Sequence, residues 1–165
     1  MTAISTYAVN LLLLLLLSAP LCAQRCMTFQ DGEKNGFTVA KLDSLYPSAM
    51  HADSTKAVFQ GKDAEKFSAA WGKFYEELFA YCNKQGLRWA SPTWCFNKIY
   101  FSKDGRIEYW LFNFRKSDNI PAEVQSAYLD AIAKFSRKHK IRIKASTPFT
   151  QCGSVTFVNR EDLGK

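Results

Sequence analysis

Histidine, and with it much of the usual repertoire of acid-base and metal chemistry, is nearly missing. The 165-residue chain has two, His51 and His139. Neither begins a His-Glu-x-x-His pattern, and the chain holds no Gly-x-Ser-x-Gly turn and no glycine-rich phosphate loop. Of five cysteines, none is spaced as Cys-x-x-Cys, which excludes a zinc ribbon and a thioredoxin-like redox pair. The one nucleophile left to consider is Cys95 or Cys152 brought to a histidine by the fold. Cysteine in an oxidising compartment is more often structural than catalytic. The chain therefore reads as non-enzymatic, with no cofactor and no metal implied.

Charge is missing from the amino end. Residues 1–23 contain no Asp, Glu, Lys or Arg, and seven consecutive leucines, Leu11 to Leu17, precede Ser18-Ala-Pro-Leu-Cys-Ala23. An apolar core followed by small residues is the pattern of a signal peptide. The run is shorter than the ~20 residues that span a bilayer. Cleavage after Ala23 leaves Gln24 first; retention leaves an anchor. Either way the reading is export, to the periplasm or beyond the cell.

What remains is one domain's worth of chain, with a weakly patterned arm over 24–60 and a single α+β domain over 61–165. No internal repeat or low-complexity tract interrupts it. In an oxidising compartment, Cys26, Cys82, Cys95 and Cys152 allow three disulfide pairings, or none. A short helix or turn is expected around 42–59. From Asp63, the spacing of Phe67, Trp71, Phe74, Leu78 and Tyr81 predicts a helix with one apolar stripe, capped by Asp63 and ended by Gly86.

The most ordered stretch is Lys98-Ile-Tyr-Phe-Ser-Lys-Asp-Gly-Arg-Ile-Glu-Tyr-Trp-Leu-Phe-Asn-Phe114. It predicts a hairpin turning at Lys103-Asp104, with Gly105 supplying positive φ. The register expected from that turn sets Tyr100 opposite Glu108 and gathers Trp94, Phe96, Trp110, Phe112 and Phe114 on one face. Asp118-Asn-Ile-Pro-Ala-Glu123 then starts a second amphipathic helix marked by Val124, Tyr128, Ile132 and Phe135. Strands are expected at Ile141–Lys144 and Ser154–Val158. The fold expected is α+β, two amphipathic helices on a small antiparallel sheet, in the order helix-strand-strand-helix-strand.

The hairpin with Lys103-Asp-Gly105, the helix from about Pro121 and the closing Val155-Thr-Phe-Val158 resemble the carboxy-terminal domain of TonB-type proteins, over roughly residues 94–159. The resemblance implies a periplasmic module that recruits a partner peptide by adding it to a sheet edge, with Val155, Thr156, Phe157 and Val158 on the strand concerned.

Two binding roles follow. A protein or peptide partner would meet the sheet edge or the aromatic face, through Trp94, Phe96, Trp110, Phe112, Phe114, Val155 and Phe157. The formal charge of +7 suggests an anionic polymer or surface instead, at Arg137, Lys138, Arg142, Lys140 and Lys144 within residues 134–144. The plainer readings are core packing for the rings, and a helix end plus a solvated strand face for the cations. Nothing in the chain indicates nucleic acid.

Overall fold

The computed structural model describes residues 25–159. The expected leader, residues 1–23, lies outside them. The described chain is α+β, with four α-helices and a four-stranded mixed sheet.

The hairpin forms the centre of the sheet. Strands β2 (Thr93–Phe101) and β3 (Ile107–Phe114) pair antiparallel around the expected turn. Gly105 has φ +78°, and its N–H donates to the Ser102 carbonyl at 2.9 Å. A side chain there would fail twice, since a Cβ would lie 2.2 Å from the Ile141 carbonyl oxygen.

The register departs from the expected one. It shifts between Tyr100 and Phe101, so Tyr100 faces Tyr109 rather than Glu108, and Ile99 faces Trp110. In a strand of period two, such a shift changes which residues share a face.

A helical layer covers one face. Helix α3 (Lys62–Lys84) buries Phe67, Phe74, Leu78 and Cys82, with Trp71 and Tyr81 half-buried at the flanks of the stripe. Its N-cap is Gly61, and Asp63 sits in the first turn, where an acid favours the dipole without capping. At its end Gly86 takes φ +79°, and the Leu87 N–H reaches back to the Cys82 carbonyl at 3.1 Å. Helix α4 (Ala122–Lys138) follows Pro121 and buries Tyr128, Ala131, Ile132 and Phe135.

The arm covers much of the other face. Strand β1 (Arg25–Thr28) pairs parallel with β3, which makes the expected antiparallel sheet a mixed one. Helices α1 (Phe29–Lys34) and α2 (Val39–Leu45) follow. Leu42 and Tyr46 then close over Tyr100 and Leu111. The helix expected around 42–59 is therefore α2, ending before Pro47, plus one 3-10 turn at Ser54–Lys56.

The strand expected at Ile141–Lys144 does not form. That segment wraps the hairpin turn, with the Ile141 N–H on the Gly105 carbonyl (3.0 Å) and the Ala145 N–H on the Lys103 carbonyl (2.9 Å). The turn offers these two acceptors, and they take the place of a ladder. Strand β4 (Phe149–Phe157) completes the sheet beside β2, in the order β1-β3-β2-β4.

Candidate functional site at a sheet edge

Strand β4 is an edge, and the direction of its backbone groups follows from the hydrogen bonds at its start. The Thr150 N–H donates to the Pro47 carbonyl at 2.9 Å, and the Thr150 carbonyl accepts from the Ala49 N–H at 2.7 Å. Both groups of Thr150 thus point away from β2. Because outward and inward groups alternate along an antiparallel strand, those of Cys152, Ser154 and Thr156 point the same way. Among the described residues they meet no backbone partner, and the Cys152 carbonyl accepts from the Gln151 side-chain amide at 3.0 Å. Proteins usually guard such an edge with charge or proline. Gln151-Cys-Gly-Ser-Val-Thr-Phe157 has neither.

The two sides of this edge differ. On the helix side, Gly153 lets the Trp71 ring close onto the strand, with its Cζ2 3.4 Å from where a Cβ would stand, and half-buried Val155 is next along the strand. On the other side Cys152, Ser154 and Thr156 are exposed, next to half-buried Phe96 and Trp94 on β2. Here the rings form a ladder: Phe29 stacks on Phe96 (5.7 Å), Phe96 on Trp94 (6.3 Å), and the Arg115 guanidinium sits 5.1 Å from the Trp94 ring. Lys98 lies between ladder and arm, held by Asp43 at 2.6 Å; the Tyr100 hydroxyl donates to the same carboxylate at 3.1 Å. Burial and then the Asp43 charge raise the Tyr100 hydroxyl well above the usual tyrosine range.

The expected aromatic face is therefore corrected. Trp94 and Phe96 stay on the outer side with the arm, whereas Trp110, Phe112 and Phe114 belong to the buried layer beneath the helices. Trp110 is fully buried, packed on Phe74 and donating its Nε1–H to Asn97 Oδ1 at 2.8 Å. Tyr128 donates to the same oxygen at 3.1 Å. Phe157 is also buried, stacked on Trp89 at 4.7 Å, so of the closing-strand pair only Val155 is partly accessible. The bulge at Tyr100 accounts for the split, and no residue type announced it. Gly153, Ser154 and Trp71 carry no site signature in the sequence, and Cys152 stands there only as a candidate nucleophile. A neutral strand containing a mid-strand glycine was the signal available.

The basic residues separate into two groups. Arg137 and Lys138 occupy the last turn of α4. Lys140, Arg142 and Lys144 lie on the segment around the hairpin turn, and Arg142 pairs with Glu77 at 3.0 Å. The histidines stand in local roles: the His139 ring stacks on Phe135 at 4.0 Å, and His51 Nδ1 accepts from the Asp53 N–H. Among the described residues no group of His, Cys, Asp and Glu is arranged to hold a metal ion, and the four cysteines are unpaired. No helix among them is long and apolar enough to cross a membrane.

No family model matches the chain, and no curated protein or solved structure matches it either.

Proposed function

We propose that this chain is an exported, non-enzymatic binding module that takes up an extended peptide segment of a protein partner as an additional strand on β4. One observation carries the reading: Cys152, Ser154 and Thr156 turn three N–H and three C=O groups outward on an uncharged strand, and the one outward position before them, Thr150, is already satisfied by strand-like pairing with residues 47–49. An added strand would meet the same acceptors and donors that this segment meets at Thr150. Alternate side chains of the peptide would then lie beside Val155 and Trp71 on one side or beside the Trp94–Phe96 ladder on the other. This agrees with the mode implied by the resemblance to TonB carboxy-terminal domains, in which the closing strand receives the partner.

Proline at position 154 provides the test. It removes an outward N–H and leaves the bonds between β4 and β2 intact, as proline on edge strands does. Wild-type protein selected against a random displayed-peptide library should enrich a set of sequences, and the folded Ser154→Pro variant should lose them. Undiminished selection by that variant would end the strand-addition reading.

A further inference from the structure

The hairpin turn and the segment after α4 are far apart in sequence but meet in space. The Ile141 and Ala145 amides are tied to the Gly105 and Lys103 carbonyls, and Arg106 bridges to Lys140. Five exposed cations, Lys103, Arg106, Lys140, Arg142 and Lys144, are thereby brought to one end of the sheet. The facing carboxylates are Asp104, in a depression lined also by Lys140, Arg142 and Lys144, and Glu77, which pairs with Arg142. Two acids against five cations leave an excess of three, out of a chain total of +7. Like charges held together by backbone bonds repel one another, and an anion laid across them relieves that repulsion.

We infer that this end of the molecule is a binding surface for an acidic polysaccharide, composed jointly by the hairpin turn and the 140–144 segment. The composition of the patch favours that class over two others. Neither segment contains an aromatic residue on which a nucleobase could stack. The exposed large apolar side chains among the described residues, Leu45 and Met50, both belong to the arm, and Ile143 within the patch is half-buried, so the patch presents no fully exposed large apolar side chain to lipid. Arg137 lies to one side of the surface, in the last turn of α4, where its charge acts on Cys26 of β1. The surface is also distinct from the β4 edge, since the turn follows Phe101 whereas Thr156 pairs with Trp94 at the other end of β2.

Labelled dextran sulfate is the probe, titrated against the protein across a salt series. Binding should weaken with salt, and the Lys103→Gln/Arg106→Gln variant should lower the slope of log K against log salt by about 1.4, roughly 0.7 for each cation lost from a flexible polyanion contact. Arg137→Gln should leave the slope unchanged. These side chains are exposed, and equal melting temperatures would show that the fold is kept. The proposal is overturned if the turn variant binds like wild type, if Arg137→Gln weakens binding as much, or if phosphatidylglycerol vesicles are bound while dextran sulfate is not.

Discussion

Gly153 on β4 lies directly over the indole of Trp71 on α3, with its missing Cβ leaving 3.4 Å to Cζ2. That distance is ordinary van der Waals contact, and Gly153 is not among the glycines with positive φ. Alanine should therefore fit, and its lower backbone entropy cost should leave the melting temperature equal to wild type or higher. Gly105→Ala should behave in the opposite way, because φ +78° and the 2.2 Å approach to Ile141 both oppose it. A loss of about 2 kcal/mol or more in denaturant unfolding is expected, of which roughly 1 kcal/mol comes from the left-handed backbone.

Trp110 and Trp94 look alike in sequence, yet the fold gives them different work. Trp110→Ala removes a fully buried indole and its bond to Asn97, and should cost about 3–5 kcal/mol. Trp94→Ala removes one rung of a half-buried ladder and should cost about 1 kcal/mol. Urea unfolding of the two variants separates core from surface. If the costs came out equal, the assignment of the two rings to opposite faces would be wrong.

The thiols should divide in the same way. Burial pushes the Cys26 thiol up to about 11 and those of Cys82 and Cys95 up to about 12. Of the four cysteines among the described residues, only exposed Cys152 should react quickly with a thiol reagent in the folded protein. The pH dependence follows from the same shifts. Unfolded thiols ionise near about 8.5, while the folded ones keep their protons. Their contribution to stability is therefore complete below that pH and is lost as pH rises toward 11–12. The raised hydroxyls of Tyr75, Tyr100 and Tyr128 act in the same direction. The melting temperature should fall above about pH 9, and prompt labelling of Cys95 in the native protein would contradict this account.

Much of the scaffold was legible because it rests on short-range rules. The three- and four-residue spacing from Phe67 to Tyr81 marked α3, Asp104-Gly105 marked the turn, and Pro121 marked the start of α4. The remainder depends on contacts between distant segments. A one-residue bulge at Tyr100 moved Trp94 and Phe96 away from Trp110, although all four residues suited a strand. The weakly patterned arm became the cover for the outer face through a few apolar residues, Leu42 and Tyr46 among them, spaced too irregularly to form a periodic stripe. Ile141–Lys144 alternates like a strand, but the nearest free acceptors belonged to the hairpin turn. The edge of β4 could not be read from its own residues, since being an edge is a property of what does not lie beside a strand.

Amide hydrogen exchange, followed residue by residue with and without a peptide selected on the wild-type protein, tests strand addition to β4 most directly. In the free protein the amides of Cys152, Ser154 and Thr156 should exchange quickly, while those of Gln151, Gly153 and Val155, bonded to β2, exchange slowly. With peptide bound, the first three should become protected together, in the alternating pattern of a newly paired strand. Protection confined to another surface, with the three edge amides still exchanging freely, would contradict the account.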